Sequence, residues 1–247
     1  MTNSKTKLLF AGVCVALLAI TYVLLSVRTG RTSGTSVSAT TSAATTTEET
    51  VELVIPDFRA PIAFSPEIAT DVRVALKKQA DTLSARLATD SLNLEWWIQL
   101  GVVRKMGGDF KGAETAWKFV AKLAPTNPIA YNNLGDLYMN FTKEYVKAES
   151  AYLAAIKNDP TAAAPYQALD TMYTNFYKQN TSAAVDILKK GIAASPDSVD
   201  MHVLLARHYR AAGKSDLAKA QYEAAIAAAA KAGQTDAVEQ LKSEENQ

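Results

Sequence analysis

Cysteine is almost missing. The single one, Cys14, excludes an intrachain disulfide and any cysteine-built metal cluster. Histidine is nearly as scarce: His202 and His208 stand six residues apart, which places them on different faces of a helix and makes no H-x3-H ligand pair. Neither charge sign dominates, since 26 basic and 25 acidic side chains leave a net charge of +1. Beyond residue 50 the balance is 22 basic to 23 acidic, so that part has no bulk attraction for nucleic acid, and no nucleic-acid partner is expected. No phosphate loop or nucleophile elbow is present. Asp136 and Asp170 are carboxylates of the kind any charged helical protein carries, and Trp96, Trp97 and Trp117 are better read as packing groups than as a sugar platform. Enzymatic activity, a cofactor and a metal are therefore not expected.

One long apolar run is present. Leu8 to Val27 gives twenty consecutive uncharged residues, which as a helix reach about 30 Å, the thickness of bilayer hydrocarbon. It predicts a transmembrane helix over 8–27 behind a short tail, residues 1–7, and hence a lipid-bilayer contact. The alternative is a cleaved signal peptide, but this run exceeds a usual h-region and Val37-Ser38-Ala39 is a weak cleavage site. Lys5 and Lys7 before the span nearly balance Arg28 and Arg31 after it. A slight excess at the tail favours a bacterial cytoplasmic membrane with the remainder of the chain outside, and the opposite orientation is the alternative. Residues 28–50, almost all Ser, Thr, Ala and Gly beyond Arg31, cannot bury enough apolar area to order themselves and read as a flexible linker. An extended lead-in over 51–65 and a leading helix over 66–93, with Ser65 as N-cap and Pro66 at the first position, are expected next.

Beyond residue 93 the chain repeats itself. Leu100, Leu134, Leu169 and Leu205 recur at 34, 35 and 36 residues, followed by Gly101, Gly135, Asp170 and Ala206. Tyr138, Tyr173 and Tyr209 lie four residues beyond their leucines, where the first unit has Arg104. Ala113, Ala148, Ala184 and Ala218 form a second series, each four residues before Trp117, Tyr152, Leu188 and Tyr222, and Pro125, Pro160 and Pro196 close three units. Each unit is a helical hairpin too small to bury its own apolar face. A small residue after the key leucine lets the two helices approach, and the aromatic ring fills the space between them. Asp170 breaks this rule and needs solvent or a partner. The extra residues of units two and three are placed in the turns around 141–145 and 176–182.

These residues resemble the tetratricopeptide repeat family, whose pattern is W-x2-L-G-x2-Y, then A-x3-F, then P. Trp97-Ile98-Gln99-Leu100-Gly101 opens the first unit, and Tyr131 to Tyr138 is the best match. The resemblance implies an all-α fold, a right-handed superhelix of antiparallel hairpins with units at 94–127, 128–162, 163–198 and 199–232, capped by residues 233–247. The polar face of that cap, including Glu239, Lys242, Glu244 and Glu245, is expected to meet solvent.

The resemblance also implies that the first helices line a concave groove. Its polar members are Asn132, Asp136, Asn140, Gln167, Thr171, Asn175, Arg207 and Arg210, with Ile98, Met139 and Val203 among the inward positions. Amides and hydroxyls suit the backbone of an extended peptide, and Arg207 and Arg210 suit a carboxylate. The terminal-carboxylate clamp of some family members is not evident. The expected partner is a protein or peptide client, within a membrane protein complex. Two roles follow: an anchored adaptor that holds its client in the groove, or a structural subunit docked through its convex or terminal surfaces.

Overall fold

A computed structural model describes residues 53–245. Ten α-helices follow one another without a strand among these residues: α1 Thr70–Leu87, α2 Leu94–Met106, α3 Phe110–Leu123, α4 Pro128–Asp136, α5 Tyr145–Asn158, α6 Ala163–Asn175, α7 Ala183–Ala194, α8 Val199–Ala211, α9 Ser215–Lys231 and α10 Thr235–Glu245. A π-helical turn, Leu137–Phe141, extends α4. Each helix packs chiefly on its neighbours in sequence, which makes α2/α3, α4/α5, α6/α7 and α8/α9 four stacked hairpins. The membrane span expected over 8–27 and the linker over 28–50 lie outside the described residues. Within them no helix is long and apolar enough to cross a membrane.

Local chemistry sets the helix starts. Asn93 caps α2 by accepting from Trp96 N at 3.2 Å. Asp109 caps α3 through Gly112 N at 3.0 Å, and Asn127 caps α4 through Ile129 N and Ala130 N at 2.9 and 3.1 Å, with Pro128 at the first turn. The leading helix starts later than its sequence signals suggest. Ser65 N donates to Gly107 O at 2.8 Å, which ties that residue to the first hairpin and holds Pro66–Ile68 in a turn. Arg73 then takes up the loose carbonyls of Ser65, Pro66 and Ile68 at 3.2, 2.8 and 2.7 Å. The helix also stops at Leu87 rather than 93, because residues 88–93 form the turn that leads to the Asn93 cap. Leu53, Phe58, Ile62 and Phe64 pack against the core shared by α1, α2 and α3.

The hairpins close as the repeat pattern requires. Trp117 is fully buried and its indole N–H donates to Ile98 O at 3.1 Å, with the ring pressed against Gly101 so closely that a Cβ there would overlap it. In unit two a Cβ on Gly135 would stand 2.6 Å from the Tyr152 ring. Ala206 and Tyr222 meet in the same cluster of unit four. Unit two takes up its extra residue one turn earlier than expected, in the π-helical stretch, where Thr142 N reaches Leu137 O at 3.1 Å and Glu144 N reaches Tyr138 O at 2.8 Å. Unit three places its two extra residues between α6 and α7, as expected.

Gly135→Ala is therefore expected to lower stability by about 1–3 kcal/mol, the usual cost of forcing a methyl into a packed contact. Urea unfolding followed by circular dichroism measures it. An unchanged midpoint would show that α4 and α5 do not depend on this approach.

Candidate functional site

The first helices α2, α4, α6 and α8 form one face of the array, and polar bridges cross it from unit to unit. Lys105 Nζ meets Asp136 Oδ2 at 2.5 Å, linking α2 to α4. Asn140 donates to the other oxygen of Asp136 at 2.7 Å. Gln167 Nε2 donates to Asp200 Oδ2 at 3.0 Å, linking α6 to α8. Beneath that bridge, His208 Nε2 meets Asp170 Oδ1 at 2.6 Å. This is the partner that Asp170 requires at its close-approach position, where it is only 5% exposed. Its hydrogen bond outweighs partial burial and raises the His208 pKa above the ordinary 6.5.

The residues expected to line a groove divide into three groups. Thr171 and Asn175 are exposed, and Asn175 Nδ2 donates only within its own helix, to Thr171 O at 3.0 Å. Asn132 is half-buried on α4. Asp136, Asn140 and Gln167 belong to the bridges just described. Arg207 and Arg210 already hold a carboxylate of the chain itself. Arg207 Nε and Nη2 reach Glu244 Oε1 and Oε2 at 2.7 and 2.9 Å, while Arg210 reaches the Glu244 backbone oxygen at 2.9 Å. Tyr222 OH adds a bond to Oε1 at 2.8 Å.

Two expectations are thereby corrected. Glu244 does not lie on a solvent-facing surface of the cap, because α10 rests where the first helix of a fifth unit would stand and turns this carboxylate back onto α8. Ile98, Met139 and Val203 do not line a groove: they are 6%, 5% and 8% exposed and belong to the hydrophobic core.

Some of these contacts were readable as periodicities. Leu241, buried on α10, stands 36 residues after Leu205 and continues the leucine series into the cap. Glu114 and Glu149, 35 residues apart, each accept from the repeat tyrosine of the following unit, Tyr138 at 2.7 Å and Tyr173 at 2.5 Å. Burial, and then these bonds to carboxylates, push both phenols well above their usual range. No comparable recurrence announces the Asp170–His208 pair, because it joins one unit's exception to a position that is not histidine elsewhere.

The fold is a stack of helical-repeat hairpins, and tetratricopeptide repeats are recognised in it. The family model described as "Tetratricopeptide repeat" matches residues 104–163 and 175–233. Among solved structures, that of MamA is 22% identical, covers 66% of this chain and 92% of its own, and has a TM-score of 0.52, which shows a common fold. TTC0263, a thermophilic TPR protein in Thermus thermophilus, is 21% identical over 69% of this chain and 92% of its own, at a TM-score of 0.45. YrrB, a TPR protein with an unusual peptide-binding site, is 13% identical over 64% of this chain and 88% of its own, at 0.46. No curated protein sequence matches the chain.

The Glu244 contact carries a pH dependence. Arg207's hydrogen bonds, ahead of the opposing effect of burial and together with that of Tyr222, hold the Glu244 carboxyl down to about 2, from an ordinary 4.5. A depressed folded pKa means that the stabilisation is complete above the ordinary value and is lost as pH falls towards 2. Amide exchange in α10 is therefore expected to accelerate between pH 4.5 and 2 relative to α8, with the acceleration much reduced in Glu244→Gln. Equal acid responses in the two proteins would remove the contact from the docking of α10.

Proposed function

We propose that this protein is a membrane-anchored adaptor that holds a peptide segment or protein client on the face of its first helices, for assembly at a membrane. The observation that carries this reading is the continuity of that face across four units, with open hydrogen-bonding groups at its middle. Asn132 on α4 and Thr171 and Asn175 on α6 take no part in the Lys105–Asp136 and Gln167–Asp200 bridges, and each carries donors and acceptors suited to a peptide backbone. Stacked repeats present such faces as extended binding surfaces. Arg207 and Arg210 would serve a client carboxylate only by exchanging it for Glu244, so they are a second contact made at the expense of the cap.

Anchoring rests on the apolar run Leu8–Val27, whose length matches bilayer hydrocarbon. The balance of flanking lysines and arginines favours display of the repeats on the extracytoplasmic side, with cytoplasmic display as the alternative. A permanently docked structural subunit would need a broad apolar patch on the second helices. Val146, Leu153 and Leu217 are exposed there, but as scattered residues over α5 and α9, which is ordinary for a protein surface.

A photo-crosslinking residue at Thr171, compared with one at Ser150 on α5, tests the reading in the full chain in native membranes. Thr171 is exposed, and Ser150 is exposed on the opposite kind of helix. Thr171 is expected to give a discrete protein adduct in the membrane fraction and Ser150 none, with the protein released from that fraction when residues 8–27 are deleted. Adducts from Ser150 alone would favour the structural subunit, and release of the intact chain from membranes by a simple salt wash would remove the anchor.

A further inference from the structure

The turns between the two helices of each unit are not equivalent. Seven residues after the repeat leucines Leu100, Leu134, Leu169 and Leu205 stand Gly107, Phe141, Phe176 and Ala212. Phe141 packs on Phe110 of the preceding unit, with centroids 5.1 Å apart, and Phe176 stacks on Tyr145 at 5.8 Å with the rings nearly parallel. The same device thus recurs after 35 residues, first residue of one second helix against the end of the next first helix. The ring pairs help join the units, yet Phe141 and Phe176 remain 43% and 49% exposed.

The backbone beneath these rings is also unusual. Each turn holds at least one residue in the left-handed region. Units one and four use Gly108 and Gly213, with φ of 82° and 69°. Units two and three use Lys143 and Lys178, with φ of 58° and 59°, and unit three adds Asn180 at 60°, a conformation that costs an L side chain energy and that glycine would supply freely. Lys143 extends its ammonium over Phe176 at 5.8 Å, and Lys178 lies over Tyr177 at 5.2 Å. Lys178 is neutralised by Glu149 at 2.5 Å, whereas Lys143 has no carboxylate partner among the described residues. Extra residues, strained lysines and half-exposed aromatic rings coincide in two adjacent turns and nowhere else in the array.

We infer that this edge of units two and three is a second binding surface, and that it takes an extended peptide segment carrying aromatic side chains and a carboxylate. The chain shows the mode of binding in unit one. There the turn has Gly107 in place of phenylalanine, and Ile62 and Phe64 of the lead-in lie against it. Phe58 meets Trp97 edge-on at 6.0 Å, Ser65 N bonds Gly107 O, and Arg104 donates to the Ala60 carbonyl at 2.6 Å. The unit-one turn therefore already accepts part of an extended segment, Ile62 to Ser65, that carries an aromatic ring. Charge selects the rest of the ligand: Lys143 offers one unpaired cation between the two ring pairs. A bilayer is the poorer occupant, because Glu144 and Glu149 offset Lys147 and Lys178 and leave no strong positive field for anionic lipid.

The test uses the full chain and a fluorescein-labelled decapeptide copying residues 56–65, which contains Asp57, Phe58 and Phe64. Saturable binding is expected, weaker by about tenfold or more for the double variant Phe141→Ala, Phe176→Ala and for a peptide lacking both phenylalanines. Arg207→Glu should leave it unchanged, which separates this surface from the unit-four end of the first-helix face. Lys143→Gly should raise Tm by about 2 °C by relieving the backbone, yet weaken peptide binding several-fold. A merely structural lysine would give the first effect without the second. Absence of saturable binding, equal affinity in the double variant, or ring-dependent binding to phosphatidylserine vesicles in place of the peptide would overturn the proposal.

Discussion

Every hairpin in this array that follows the repeat pattern closes because the first helix gives up a side chain where the second presents a large one. Gly101 receives Trp117, Gly135 receives Tyr152, and Ala206 receives Tyr222. The rings bury fully, and with them goes most of the apolar area a two-helix unit can hide. What a hairpin cannot hide by itself, it hides against the next one, so the array is stable as a stack and its ends need covers. The lead-in and α1 cover one end and α10 covers the other.

Unit three offsets its departure from this rule with polar chemistry. Asp170 stands where a glycine or alanine would let the helices meet, and a carboxylate buried there must be paired. His208 of the next unit supplies the partner, so a local exception becomes an interaction between units. The same logic runs across the whole first-helix face. Lys105 with Asp136, Gln167 with Asp200 and Arg207 with Glu244 are side chains that bind peptides in principle and bind neighbouring units in fact. On the proposed reading, a client of this face would compete with those bridges, most directly at Glu244.

The two turns with extra residues follow a different rule. Two of the turns use glycine in the left-handed region and the other two a lysine, in a conformation that costs an L side chain energy. Lys143 and Lys178 sit beside rings that remain half-exposed, and the π-helical turn before Phe141 sets where that ring emerges. Conformational cost and half-exposed rings therefore meet at the proposed second surface.

Much of the architecture is legible without coordinates, because the leucine, small-residue, aromatic and proline series repeat with the period of the hairpin, and a period survives local variation. The need of Asp170 for a partner follows from that pattern. The same period reaches the cap through Leu241, although the cap's polar residues by themselves suggest a solvent-facing surface. Side-chain pairing is less legible. Sequence spacing states which residues share a face, but whether Arg207 and Arg210 await a ligand or grip Glu244 depends on how far α10 swings back over α8. The sequence by itself determined four hairpins and an apolar segment of membrane-spanning length, since both are patterns of hydrophobicity along the chain. Only the tertiary structure decided which groove residues are already engaged and where aromatic rings emerge, because those depend on distances between units that no single unit encodes.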